Sequence, residues 1–190
     1  MDPETLVRLE NPLTPAADRL RSTLIGSILA AVAANVRSVE RVALFEIGKV
    51  FWPLPGQVLP AEPEHIAIGL AGARDAGAWL NRVPEPMDFL DLKGVVETLL
   101  DHLGLLADAR FEPVLHPLFG PRAARLLIKG KAVGILGEVH PAVRRAFDLP
   151  EQRVAVAELQ LAPFVAAVSH KAKMRPIFSF PSVKEDLALV

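Results

Sequence analysis

The chain has 190 residues, enough for one sizeable domain or a domain with a short appendage. Apolar residues make up 51% and charged residues 23%, the balance of a well-packed globule, and a net charge of −1 gives no bulk attraction to nucleic acid or to an acidic membrane. Cysteine is absent, which excludes disulfides, thiolate metal sites and cysteine nucleophiles and fits a cytoplasmic chain.

No apolar run reaches the roughly eighteen residues of a membrane span, and no signal peptide opens the chain. Met1-Asp2-Pro3 reads as an arbitrary start, and Leu187-Ala188-Leu189-Val190 as a strand cut off mid-way. The sequence is therefore expected to be a piece of something larger.

In chain order, residues 6–9 form a short strand candidate closed by Asn11-Pro12. Thr14-Pro15 reads as an N-cap and a first-turn proline, opening a helix over residues 15–36. Leu20, Leu24, Ile28, Val32 and Val36 fall every four residues on one stripe, with Ile25 and Leu29 beside it. Residues 24–34 carry no charge, and a helix this apolar all round is expected to be buried on more than one side. A second helix or another chain would cover it, approaching closely over Gly26, Ala30, Ala31, Ala33 and Ala34. The alternative is a central helix of a single domain.

Residues 41–51, R-V-A-L-F-E-I-G-K-V-F, read as a strand at the centre of a sheet, because both alternating faces are apolar. Glu46 needs a partner or a wet crevice, and Gly48 lets a backbone or ligand come close. After a Pro/Gly loop, residues 66–71 form the next strand, antiparallel to the last. A second helix spans residues 88–103, with Phe89, Leu92, Val96, Leu99 and Leu103 on one face and Gly104 ending it. Strands at 110–115, 124–128, 133–139 and 154–161 follow, with short helical pieces at 142–147 and 163–168. Residues 169–176 form a basic, polar linker, and a new element begins at Pro181. This order favours an α+β fold with a mostly antiparallel sheet over a doubly wound one.

No constellation of catalytic residues stands out. The five histidines, His65, His102, His116, His140 and His170, have no metal-ligand spacing, and His116 and His140 precede proline at strand-ending turns. Gly134 and Gly137 lie in a strand, and Gly130-Lys131 lacks phosphate-loop spacing. Ser22 and Thr23 have no evident base. Asp88 and Asp91 sit where a helix N-terminus favours acids. Lys171, Lys173, Arg175 and Lys184 form a basic cluster without interleaved aromatics, better read as a solvated spacer than as a phosphate contact.

Several segments together resemble the bacterial phenylalanyl-tRNA synthetase β subunit. They are Asn11-Pro12-Leu13, then Leu20-Arg21-Ser22-Thr23-Leu24, Asn35, and Leu44-Phe45-Glu46-Ile47-Gly48-Lys49-Val50-Phe51. Asp88-Phe89-Leu90-Asp91-Leu92-Lys93-Gly94, His116-Pro117, and residues 134–141, G-I-L-G-E-V-H-P, continue in the same order. Residues 180–190, F-P-S-V-K-E-D-L-A-L-V, resemble the opening strand of that subunit's anticodon-binding, ferredoxin-like domain.

The resemblance implies a class II synthetase catalytic-like domain over residues 1–168, a linker over 169–180 and the start of the anticodon-binding domain over 181–190. It also implies that catalysis has been lost. A working motif 2 strand carries an Arg two residues before its Glu to hold a phosphate, whereas Leu44 stands there before Glu46. The motif 3 Arg is missing as well, so no catalytic, cofactor-binding or metal residues are assigned, and the fragment alone is expected to be inactive. In the family, the intact (αβ)2 enzyme attaches phenylalanine to its tRNA with ATP and Mg2+, and the α subunit carries the aminoacylation site. The apolar helix sits where class II enzymes place an interface helix, so Leu20, Leu24, Ile28 and Val32 are expected to dock the α subunit. Alone, the fragment would self-associate through that face. An alternative is a residual adenylate or amino-acid site near Glu46. The loop from His116 to Ala124 is longer than the family's, so no contact is transferred to Arg122.

Overall fold

The computed structural model describes residues 6–14, 18–75 and 85–168. The calls on Pro15, on the basic cluster and on residues 169–190 fall outside these.

Six strands form one antiparallel sheet: β1 (Arg41–Lys49), β2 (Glu64–Gly72), β3 (Ala109–Pro113), β4 (Phe119–Ile128), β5 (Lys131–Val139) and β6 (Val154–Gln160). Their order in space is β1-β2-β6-β5-β4-β3, with every neighbouring pair antiparallel. Helices α1 (Ile25–Asn35), α2 (Phe89–His102), α3 (Pro141–Ala146) and α4 (Leu161–Ala167) complete the α+β fold expected from the order of elements.

The sheet separates two cores. On one face α1 and its neighbours enclose Leu24, Ile28, Val32, Val42, Ala71 and Val156. On the other, α2 and α4 enclose Leu92, Val96, Leu100, Leu126, Leu136 and Phe164. Successive residues of a strand point to opposite faces, so β6 supplies Val154 and Val156 to the first core and Ala155, Ala157 and Leu159 to the second.

Two expectations are corrected. Residues 41–51 are not the centre of the sheet. β1 is an edge strand on which only Val42 is buried, with Phe45 71% and Ile47 52% exposed. The central positions belong to β6 and β5, and β6 is buried along almost its whole length. The first helix is also shorter than residues 15–36. Before α1 the backbone is extended: the Leu20 N–H donates to the Val7 carbonyl at 2.8 Å, and the Arg21 carbonyl accepts from Phe51 N–H at 2.8 Å. The candidate strand at residues 6–9 reduces to one bridge, Arg8 to Arg19.

The second helix forms as its sequence dictates. Asp88 caps α2 by accepting from Leu90 N–H at 2.8 Å, while Asp91 reaches back to Asp88 N–H at 2.7 Å, a reciprocal capping box. Gly104, at φ +69°, follows the last turn in the left-handed conformation that only glycine adopts without strain. α1 settles on β2 over Gly69, where an added Cβ would come within 2.9 Å of Val32 Cγ2 and 3.0 Å of Ile28 Cγ1.

Candidate functional site

α1 begins at Leu24 because a distant carboxylate meets it there. Leu24 has no side-chain cap to offer. Instead Glu158, on the face of β6 turned towards α1, accepts from Leu24 N–H at 2.7 Å through Oε1. Its Oε2 accepts from the Thr23 hydroxyl at 2.5 Å, and Thr23 Oγ1 in turn accepts from Ile25 N–H at 3.1 Å. Anionic charge at a helix N-terminus is favourable, so one buried acid does the work of a local cap.

His65 completes the cluster. Its Nδ1 lies 3.0 Å from Glu158 Oε1, and both side chains are about nine-tenths buried. An ionised carboxylate only accepts, so Nδ1 carries the proton. Trp52 stands edge-on to the imidazole, with ring centroids 5.3 Å apart, and donates its Nε1–H to the Ser22 carbonyl at 3.0 Å. His65 Nε2 is buried with no partner among the described residues. Burial pushes the Glu158 carboxyl up, but the bonds from His65, Thr23 and Leu24 outweigh it, and the group lies below the usual carboxylate value.

A second acid, Glu46 on β1, has a simpler role. Arg21 NH1 donates to Glu46 Oε1 at 2.6 Å and Arg21 Nε to the Lys49 carbonyl at 3.0 Å. A Cβ on Gly48 would collide with that guanidinium. The close approach read at Gly48 is therefore made by the Arg21 guanidinium, which also pairs with Glu46.

A third cluster gathers at the start of α2. Arg74 donates to Asp91 at 2.7 Å and to Glu85 at 2.7 Å. The Arg74 guanidinium holds the Asp91 carboxyl below its usual value, against the cost of desolvation. Arg122 lies 3.4 Å from Asp88 and 3.3 Å from Glu138, and Arg153 lies 3.6 Å from Asp88. Each acid is met by a cation or a backbone N–H, which makes these contacts structural. His140 is structural too, its Nδ1 accepting from Ala142 N–H at 3.1 Å to cap α3.

The residues expected to dock a partner face inward. Leu24, Ile28 and Val32 are 0%, 2% and 0% exposed and belong to this chain's own core. Leu20 is half-buried outside the helix. The stripe points at the sheet because Gly69 lets α1 lie close, and the outward side of α1 carries the small residues Ala30 and Ala34.

The apolar surface that remains open lies across the sheet. A groove of about 380 Å³ runs between β1, β2 and α2, lined by Ala43, Phe45, Ile66, Ile68, Val95 and Leu99. Phe45 and Val95, which line it, stand 71% and 42% exposed, and Ile47, two residues further along β1, is 52% exposed. Contiguous exposed apolar surface of this kind marks an interaction site. Among the described residues no group of three or more His, Asp and Glu comes together to hold a metal ion. No described helix is long and apolar enough to cross a membrane.

Sequence reasoning passed over Glu158 and set His65 and Thr23 aside for want of a partner. The signal was present in V-A-V-A-E-L-Q, where an acid interrupts a strand apolar on both faces and so demands a buried partner.

Residues 1–161 match the family model described as the phenylalanyl tRNA synthetase beta chain CLM domain. The chain is 44% identical over 184 residues to a phenylalanine–tRNA ligase beta subunit from Symbiobacterium thermophilum, covering 96% of this chain and 20% of that protein. It is 38% identical over 189 residues to the beta subunit from Geobacillus kaustophilus (97% of this chain, 23% of that protein). It is 34% identical over 192 residues to the one from Listeria innocua, with 98% and 23% covered. The chain thus spans about a fifth of the length of the curated relatives it matches. With a family model across most of its length and relatives that match 96–98% of it, the chain belongs to the phenylalanyl-tRNA synthetase beta chain CLM domain family.

Proposed function

We propose that this chain is the non-catalytic, class II-like core of a phenylalanyl-tRNA synthetase β subunit and that it docks the α subunit. The whole enzyme, an (αβ)2 assembly in the cytoplasm, attaches phenylalanine to tRNA(Phe) with ATP and Mg2+. This chain supplies surface rather than chemistry. Leu44, which stands where a working strand needs a phosphate-binding Arg, packs against the core under α1 and has no charge to offer.

The observation that carries the docking role is the open groove beside β1. An edge strand with Phe45 and Ile47 exposed is a surface that a free-standing domain avoids and a subunit covers. Burying such side chains contributes roughly 1.5–3 kcal/mol each. Docking is thus proposed on β1 and α2 rather than on the stripe Leu20, Leu24, Ile28 and Val32, whose last three members are buried in the chain's own core.

The test is size-exclusion chromatography with light scattering on this chain mixed with the α subunit of the same enzyme. A stable mixed complex is expected, lost in Phe45→Glu/Ile47→Glu and retained in Val58→Glu, a fully exposed loop position away from the groove. Failure of the unaltered chain to bind α overturns the docking role. Binding that survives the double substitution overturns its placement on β1.

A further inference from the structure

The two edges of the sheet are finished differently. β3 is five residues long, carries Arg110 and Glu112 and ends on Pro113, features that keep an edge strand from pairing with another chain. β1 is nine residues long and runs against β2 in unbroken register, with no proline. Val50 N–H donates to the Pro63 carbonyl and Ala73 N–H to the Glu40 carbonyl, so the even-numbered residues of β1 turn their backbone groups to β2. The odd-numbered residues turn theirs outward. On that outer side Phe51 N–H donates to the Arg21 carbonyl, and the Lys49 carbonyl accepts from Arg21 Nε. The outward backbone groups of Arg41, Ala43, Phe45 and Ile47 have no partner among the described residues.

This open stretch is complementary to itself. Two β1 strands running antiparallel about a two-fold axis at Leu44 set Ala43 opposite Phe45 and Arg41 opposite Ile47, each way round, with Leu44 facing Leu44. All the outward groups of residues 41–47 are then paired, and the small Ala43 leaves room for the Phe45 ring. Glu40, exposed and without an ion-pair partner among the described residues, comes opposite Gly48, where the Arg21 guanidinium lies. An acid of one copy thus meets a cation of the other. An axis at Phe45 instead would set Arg41 against Lys49 and call on the Lys49 carbonyl that Arg21 already holds. Like charges directly opposite one another disfavour a strand pair, and opposite charges favour it.

We infer that the β1 edge pairs with the β1 edge of a second copy of this chain, joining two six-stranded sheets into one across a two-fold axis at Leu44. Backbone hydrogen bonds supply the affinity, and the alternating side chains set the register. The dimer forms without the α subunit. Docking is proposed on the same strand, so α and the second copy exclude each other there, a consequence that rests on the docking reading.

The experiment is sedimentation equilibrium on the full chain alone over a range of concentrations. A reversible dimer is expected, dissociating in about the micromolar range of small interfaces. Ala43→Lys, at an exposed position, keeps the unfolding midpoint and weakens the dimer at least about tenfold. The chain has no cysteine, so single introduced thiols report the register under mild oxidation. Leu44→Cys is expected to cross-link to its own counterpart, the facing Cα atoms lying about 4.5 Å apart. Ile47→Cys, about 20 Å from its counterpart along the strands, is expected not to. A chain that stays monomeric overturns the inference, as does a dimer that ignores Ala43→Lys or one in which folded Leu44→Cys does not cross-link. Because α is absent from the experiment, such a failure leaves the docking reading standing.

Discussion

The Glu158 carboxylate accepts the Leu24 backbone N–H at 2.7 Å across a separation of 134 residues. The start of the first helix is thus fixed by a side chain on the next-to-last described element. Local sequence around Leu24 supplies the apolar stripe, but the helix begins where β6 delivers an anion.

Removing that anion tests the relationship. Glu158→Gln keeps the shape, loses the charge, and turns an acceptor towards a donor for one of the three groups it serves. A loss of about 1.5–3 kcal/mol is expected, the scale of hydrogen bonds to a charged group. Denaturant unfolding reads the loss, and amide exchange of residues 25–28 should quicken more than that of α2. Unchanged stability would show that the cluster is not what anchors α1.

Acid should weaken the same contact. Glu158 and Asp91 both have folded-state values below their ordinary 4.5 and 3.8. A depressed carboxylate contributes stability that is fully present above its unfolded value and is lost as pH falls through its folded value. Stability should therefore hold near neutrality and decline below about pH 4.5. Urea midpoints measured from pH 7 to pH 3 check this, and the decline should be shallower in Glu158→Gln. A flat profile across that window would contradict the assigned bonds.

Gly69 offers a steric test on the same helix. An added methyl would lie 2.9 Å from Val32 Cγ2, with Ile28 Cγ1 at 3.0 Å, so either α1 or β2 must yield. Gly69→Ala should cost about 1–3 kcal/mol, the usual range for overpacking a filled core. A stabilised variant would mean that α1 has room to move outward, and differential unfolding would reveal it.

Much of the fold was legible because it is written locally. The stripe Phe89, Leu92, Val96, Leu99 and Leu103, with Asp88 before it and Gly104 after it, specifies α2 without reference to the rest of the chain. The turn Lys129-Gly130 likewise joins β4 to β5 where the alternation breaks. What was misread is non-local. Residues 41–51 have the composition of a central strand, but position in a sheet depends on which strands pair with it, and among the described residues β1 pairs only with β2. Its apolar residues at Phe45 and Ile47 answer to a surface rather than to this chain's core. Leu20 and Leu24 continue the four-residue spacing of Ile28 and Val32 upstream of the true helix start, which Glu158 sets. Of the functional residues, Glu46 was singled out and proved to be paired with Arg21, while the acid with the wider role, Glu158, went unread.

The long-range cap also bears on how the protein is born. Chains leave the ribosome N-terminus first, at roughly 5–20 residues per second, so residue 24 is exposed on the order of ten seconds before residue 158 exists. Throughout that interval α1 lacks its anion and the β6 part of the surface on which it rests, and an uncapped eleven-residue helix is marginal in water. The nascent helix has β1 and β2 to rest on by residue 72, but it stays uncapped and partly uncovered until the last described strand arrives. Cotranslational handling of this chain is therefore most demanding at its beginning, and the arrival of Glu158 is the event that ends the wait.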